Sequence, residues 1–569
     1  MKKYRHKIPA IGILCLIVLY ASTQSYLSSS NRHAALGLNY VDSLVVPQSK
    51  TSDSSNKKSV SDTIKPKKAP LIIDLRRANK VSKARYTDAQ ILTDSVVFYH
   101  NGALLYCDSA YWYDTENRFD AYGNVVMNQG DTLFVYGDAM YYEGNINLVK
   151  VRENVRLENI PSQAVLYTDS LDYDRANNIG YYFNGGRLED QENDLQSEWG
   201  EYQPNNHLAI FRNEVILVNQ KFELYTSELH YDTDSKIASL VAPTTIVSDS
   251  GTIESSKGWY NTVTEQAVLL NQSEVVSKNG SRILRGDSIV YSKTFGEVFG
   301  NMFLQDTARK VILEGHYGYY NDSTQYAMAT DSAFATEYSQ KDSLYLHGDT
   351  LELIPDSTFR LLKAYHGVRF YRTDAQGVCD SMQFHSRDSI LHMYGNPILW
   401  NEGYQITGDT VNVFFNDSTV DRMYVLGYSF SIEQLDSVNF NQVKGRRMEV
   451  YMQDGKMRRI LVEGNVETIF YPIEKDGGHV GLFWVEGSRL ETEFDKGVFK
   501  RAKYSKEPVG KITPMDMIKP NQRRLSEFFW FDYMRPLNKK DILRKVSKRA
   551  EDMKAPRNPI FDSKDFDEW

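Results

Sequence analysis

The stretch LFVYGDAMYY (133–142) reads as a β-strand with a fault at its centre. Leu133 and Val135 alternate in the manner of a half-buried strand, and so do Met140 and Tyr142. Successive side chains on a straight strand switch faces. Val135 and Met140 are five residues apart, so they would point to opposite sides. Between them lies Gly137-Asp138. A strand that keeps both apolar pairs on one side must bend or bulge there.

The fault recurs along the chain. A small residue takes the place of Gly137 at Cys107, Thr168, Ser197, Thr226, Ser255, Gly286, Gly315, Gly348, Cys379, Gly408, Gly445 and Gly487. That makes thirteen copies at a mean spacing of about 32 residues, a length expected of stacked repeat units. Two residues before the index, twelve copies are aliphatic and only Gly377 breaks the series. Three after it, every copy is apolar or Gly; five after it, the first eight are aromatic, from Trp112 to Tyr320. The inward face therefore comprises Val135, Leu166, Leu195, Leu224, Ile253 and Leu284 before the index. After it come Met140, Leu171, Leu229 and Ile289, then Tyr142, Tyr173, Tyr202, Tyr231, Tyr260 and Tyr291. The index pairs Gly137-Asp138, Gly286-Asp287, Gly348-Asp349 and Gly408-Asp409 read as strand corners. Glycine tolerates an unusual backbone or a close neighbour, and Asp can bond a nearby N–H. A second strand in each unit often opens on a Gly-Asn-like step, as in GNVVM at 123 and GNMFL at 300. The expected fold is all-β: an elongated, bent stack of about thirteen units of ~30 residues, with an apolar interior.

The flanks differ from this array. Residues 1–24 place four basic residues before an apolar run, the layout of a signal peptide or an N-terminal anchor. Residues 25–84 are polar and read as a flexible linker, and 85–512 form the repeat domain, as one unit or as two or three tandem subdomains. Residues 513–569 form a tail, first aromatic and then helical. The helix is expected over 538–555, capped by Asn538, either covering the last rung or docking on a membrane or partner.

Chemistry is sparse. The Asp series recurs at one index position, whereas catalysis needs a single asymmetric constellation. His385 and His392 lack metal-site spacing, and no phosphate loop, nucleotide fingerprint or nucleophile elbow is present. A net charge of −8 with interspersed signs leaves no nucleic-acid footprint. No enzyme activity, cofactor or metal is expected. Cys107 and Cys379 share the index place nine units apart, about 40 Å or more at strand spacing. They are expected to be free and buried.

The tandem units, best displayed in DSAYWYDTENRFDAYGNVVMNQGDTLFVYGDAMYYEG (108–144), together with the leader, resemble the OstA-like (LptA-like) family. These are periplasmic bridge proteins of lipopolysaccharide export, related to the N-terminal domain of the outer-membrane translocon. The resemblance runs at lower clarity to about residue 500. It implies a bent β-jelly-roll whose apolar interior carries acyl chains, so the inward positions named above become candidate lipid-lining residues. It implies three partners: lipopolysaccharide or a related lipid, other β-jelly-roll export components joined through exposed edge strands, and the translocon. It places the chain in the periplasm of a didermal bacterium, free or tethered to the inner membrane by an uncleaved leader. This array is longer than the usual bridge domain, and no membrane barrel follows it. Gly200, Gly258 and Gly318 stand where neighbouring units carry Leu or Ile; they either leave room for acyl chains or serve strand bending and Tyr packing. A structural or adhesive scaffold with a dry core shares every feature except the resemblance.

Overall fold

The computed structural model describes residues 72–548, apart from 293, 322, 325, 339–341, 356–359, 386, 402, 417–418, 454–455, 474–477 and 497. The leader, most of the polar linker and residues 549–569 lie outside the described residues. Among the described residues, thirty-eight strands join into one hydrogen-bonded sheet, and every pairing is antiparallel. Among the described residues the only helices are 3-10 turns, and none is long and apolar enough to cross a membrane.

The chain runs as a meander of strands, many of them 11 or 12 residues long, each bent near its middle. The bend is a register shift. Between the strands Arg118–Gln129 and Leu133–Glu143, pairing jumps from Tyr122↔Ala139 to Val125↔Gly137. Two residues on one strand thus oppose Asp138 alone, which is a β-bulge. The unusual backbone is not in Gly137-Asp138. It sits in the facing step, where Gly123 and Asn124 both have positive φ (77° and 44°). The same pair of left-handed residues recurs at Glu153-Asn154, Asn213-Glu214, Gly300-Asn301, Gly427-Tyr428 and Gly464-Asn465, among others. Gly and Asn are the residues that enter this region at least cost, which is why Gly-Asn steps punctuate the sequence.

Gly137 and Asp138 have different duties. A Cβ on Gly137 would collide with Cγ1 of Val151 on the next strand, so the glycine is there for close approach. Asp138 accepts a hydrogen bond from Asn154 Nδ2 at 2.5 Å, and Asp108 and Asp287 do the same for Asn124 and Asn301, each at 2.8 Å. A Cβ on Gly123 would lie 2.7 Å from Asp108 Oδ2. Three bends are therefore cross-strand locks: a left-handed pair at Gly123-Asn124, Glu153-Asn154 or Gly300-Asn301 is held by an aspartate from the neighbouring strand. Gly286 and Gly408 likewise stand beneath Val298 and Val425, while a Cβ on Gly348 would lie 3.2 Å from the Tyr365 carbonyl. A Cβ on the left-handed Gly427 would collide with Asp409.

Stacked bends fold the ribbon into a V in cross-section, with the apex along the bends and two rows of turns along the rims. Side chains of the two arms meet inside. Phe98 of one arm stacks on Phe119 of the other at 4.2 Å, and Phe119 stacks on Tyr142 at 5.2 Å. Two large clusters fill the interior, one from Ile73 to Met302 and one from Ala329 to Leu490.

Both flanks depart from expectation. The end of the linker joins the sheet: Asp74–Arg77 and Lys80–Lys83 pair with Gln90–His100, and Ile73 is buried in the core. The tail is not helical over 538–548. Asn538 Oδ1 accepts the backbone N–H of Lys540 and of Asp541, which closes a turn, and a single 3-10 turn follows at Asp541–Leu543. The remainder of the expected helix, 549–555, lies outside the described residues. Nor does the described part of the tail cover the last rung. It turns back along the outer face of the sheet, because the apolar residues that can bury Phe531 and Ile542 are there.

Gly137→Ala is expected to destabilise the protein by about 1–3 kcal/mol through overpacking. Combining it with Val151→Ala should recover part of that loss. Denaturant unfolding of the two single variants and the double variant checks this; additive losses would contradict the contact.

Candidate functional site: an apolar interior, latched in one part and open in another

Interior burial changes along the stack. Of the expected lining residues, Val135, Leu166, Leu195, Leu224 and Ile253 are buried, as are Met140, Leu171, Leu229 and Ile289. Tyr142, Tyr173, Tyr202, Tyr231 and Tyr260 are buried as well. Leu284 and Tyr291 are only half-buried. The difference continues beyond them: Leu304, Leu313, Tyr320, Leu346 and Leu353 are all half-exposed.

In the first part the mouth of the V is latched by polar side chains. Tyr142, Tyr202 and Tyr231 reach across it and place their hydroxyls on partners from the opposite rim, as buried phenols require. Tyr142 Oη lies 2.6 Å from His100 Nδ1 and accepts from Arg175 Nη1 at 2.6 Å. Arg175 also donates to Gln129 Oε1 and to the carbonyls of His100 and Asn101. Tyr202 Oη accepts from Asn159 Nδ2 at 2.7 Å. Tyr231 Oη accepts from Asn193 Nδ2 and donates to Asp190. Lys236 Nζ bonds Asp190 Oδ2 at 2.8 Å, and the rings of Phe222 and Tyr260 meet at 4.9 Å. All of these crossings fall between residues 100 and 265.

Burial sets the ionisation of the latch. It pushes the Tyr173 and Tyr182 phenols up to about 12 and raises those of Tyr231 and Tyr260 as well. Burial also raises Tyr142, with the Arg175 guanidinium opposing. Tyr142, Tyr231 and Tyr260 therefore stay neutral through the physiological range. For Asp190, burial acts upward, but the Lys236 ammonium and the backbone N–H groups of Glu192 and Asn193 outweigh it and hold the carboxyl below its ordinary value.

From residue 282 to 362 the arms differ in depth. Next to the bends, Ile289, Val298, Met302, Ala329, Ala333 and Leu351 stay buried. Toward the rims, Leu284, Tyr291, Leu313, Tyr320, Leu346 and Leu353 are half-exposed, while Leu344 is buried. This is an apolar trough with a closed floor and wet edges, a geometry suited to an elongated apolar ligand. Met382, Met393, Met423 and Met448 continue the buried interior beyond it.

The three expected notches are filled. A Cβ on Gly200 would enter the Tyr182 ring, and one on Gly318 would lie 2.9 Å from Met302 Cε. Gly258 has φ +140°, and a Cβ there would run into the Val268 carbonyl. Both thiols are free and buried; burial pushes Cys107 up to about 12 and raises Cys379 too. His385 and His392 meet edge to face, and His392 Nδ1 lies 2.8 Å from Asn412 Oδ1. Among the described residues no group of three or more His, Cys, Asp and Glu is placed to hold a metal. Sequence reasoning missed the polar half of the latch, His100, Arg175, Asp190 and Lys236, because each occurs once and carries no period.

The fold and interior define a class: a bent antiparallel ribbon built around an apolar channel. Residues 69–227 and 223–284 match the family described as OstA-like protein. The matched part ends where the interior opens. No curated protein matches the chain. One solved structure, LptH of Pseudomonas aeruginosa, is described as the LptA homologous periplasmic component of a lipopolysaccharide transport device. It aligns at 9% identity over 36% of this chain and 83% of its own, with a TM-score of 0.10. A structure from a study of two prolyl endopeptidases aligns at 9% identity over 70% of this chain and 54% of its own, with a TM-score of 0.09. Neither superposition is close enough to bear on this chain.

Tyr142→Phe removes the hydroxyl that His100 and Arg175 share and is expected to cost about 1–3 kcal/mol. Tyr106→Phe, at a half-exposed outer position, should stay within about 0.5 kcal/mol. Thermal or denaturant unfolding of the pair checks this. Lowered in the fold, Asp190 contributes stability above its ordinary value of 3.8 and loses it as pH falls through its folded value. Lys236→Met is expected to raise the Asp190 pKa, followed by carbon NMR of the carboxyl; an unmoved titration would contradict the pairing.

Proposed function

We propose that the protein is a non-enzymatic periplasmic carrier that shelters the acyl chains of lipopolysaccharide, or a related lipid, on the way to the outer membrane. The observation that carries this reading is the trough at 282–362, where an apolar interior reaches solvent while its floor stays packed. The family match over residues 69–284 supports the cargo class. On this reading the thirteen ~30-residue units form one long jelly-roll-like conduit, and residues 1–24 export the chain or tether it to the inner membrane. The methionines beyond the trough form an adaptable apolar wall, suited to chains of variable length.

Partners join by strand addition at an end of the ribbon. The two ends are unlike. Among the described residues, the N-terminal edge is two four-residue strands bearing Arg76, Arg77, Lys80 and Lys83, a short and charged edge that disfavours pairing. The C-terminal end has the strands Val498–Ser505 and Val509–Pro514, with Phe499, Val509 and Ile512 exposed. Among the described residues the tail turns away from this edge and none pairs with it, so the C-terminal end is the stronger docking surface for other export components or the translocon.

A second reading has an observation of its own. Through residue 265 the interior is packed and latched, as a dry scaffold would be. The two readings assign different roles to the two parts and are separable by position. With a photoreactive benzoylphenylalanine at Leu313 or Leu346, crosslinking to lipopolysaccharide is expected in cells. At Leu166 or Leu224 little is expected. Crosslinks at none of the four in a folded protein would favour the scaffold throughout.

A further inference from the structure

The C-terminal part of the ribbon carries a third layer on its outer face. Residues 515–548 leave the last strand and run back across the sheet, from the neighbourhood of Leu482 to the strands Leu344–Pro355 and Val368–Arg372. The segment forms no strand pairing of its own; it is held by side chains.

Three buried glutamines hold it. Gln376, Gln405 and Gln442 each stand three residues before the small index residue of successive units, so the fold places them in a row on the outer face. Gln405 donates to the Phe529 carbonyl at 2.8 Å and accepts the Phe531 N–H at 2.7 Å. Gln442 repeats the clasp on the Arg523 carbonyl and the Leu525 N–H, at 2.8 and 2.9 Å. In both cases one amide spans residues i and i+2, the repeat of an extended backbone. Gln376 instead accepts from Arg535 Nε at 2.8 Å, and the buried Arg369 donates to the Met534 carbonyl. Apolar seats lie between the clasps. Phe528 and Trp530 pack on Phe440, Phe531 and Met534 on Trp400, and Ile542 is fully buried at the far end.

A core layer could be held by apolar packing alone. Buried side-chain amides that satisfy both polar groups of a passing backbone are the chemistry of peptide recognition, because they read extended chain independently of its side chains. We propose that this outer face is a peptide-binding groove and that residues 523–542 are its ligand, supplied in cis as a releasable strap. The groove takes an extended, aromatic-rich peptide. While seated, the strap braces from outside the strand Leu344–Pro355, whose inward Leu346 edges the trough.

Hydrogen exchange on the full-length protein tests release directly. The Leu525 and Phe531 amides are expected to be protected, yet to exchange through an opening that leaves the strand amides of Val425 and Met448 closed. Gln405→Met should speed Phe531 exchange roughly ten-fold or more without changing the strand amides. In a full-length Phe531→Ala, Met534→Ala, Ile542→Ala variant the strap should leave its seat. A synthetic peptide of residues 521–544 should then bind this variant one to one, bind wild type poorly, and lose binding when Gln405→Met and Gln442→Met are added. The proposal is overturned if strap and strand amides exchange together. It is equally overturned if the triple variant keeps its strap seated, or if the peptide binds none of the proteins or all of them alike.

Discussion

Everything in this architecture depends on a pair of left-handed residues in the middle of an extended strand. One such residue costs roughly 1–2 kcal/mol when it carries a Cβ, and less for Gly or Asn. The chain meets the cost repeatedly with Gly-Asn and Asn-containing steps, and offsets it with an aspartate from the adjacent strand that bonds the Asn side chain, as Asp108 does for Asn124. Bends made by one local device fall in register, so the long ribbon creases along a single line. Without the crease, Val135 and Met140 could not share a core.

A creased ribbon has a mouth, and the protein treats it in two ways. Between residues 100 and 265 tyrosines long enough to span it find polar partners on the far rim. From 282 onward, leucines and half-exposed tyrosines edge an open trough. The contrast is one of side-chain chemistry at equivalent positions, not of backbone. Beyond the trough a third layer lies against the outer face. The same repeat position that carries Phe134 in an early unit carries Gln376, Gln405 and Gln442 in three late ones. A repeated backbone thus supports a latched section, an open section and a braced section.

Much of this was legible in the sequence, and the remainder was hidden for physical reasons. The slip in parity between Val135 and Met140 announced the bend, since strand periodicity allows no other way to bury both. Its location was misread by one strand. Gly137 looks like the strained residue because it is Gly, yet it is there for Val151, and the strain sits in Gly123-Asn124 and its equivalents. Only pairing shows which strand bulges. The helix expected over 538–555 rested on apolar spacing at Ile542 and Val546. That spacing gave way to the side-chain turn of Asn538 and to the burial of Ile542 against the sheet. The inward leucines and tyrosines were readable as an apolar face. Whether that face meets solvent depends on what crosses the rims, and His100, Arg175 and Asp190 leave no periodic trace. The glutamine row did leave one, in three successive units.

The central claim is that one continuous interior is closed in its first part and open in its middle. Solvent access read residue by residue tests it most directly. Single cysteines placed at Leu166, Leu224, Leu313 and Leu346, in a protein with Cys15 replaced by Ser and with buried Cys107 and Cys379 as the slow background, can be timed with a polar thiol reagent under native conditions. The account predicts rapid modification at positions 313 and 346 and slow modification at 166 and 224. Equal rates at all four positions would contradict it.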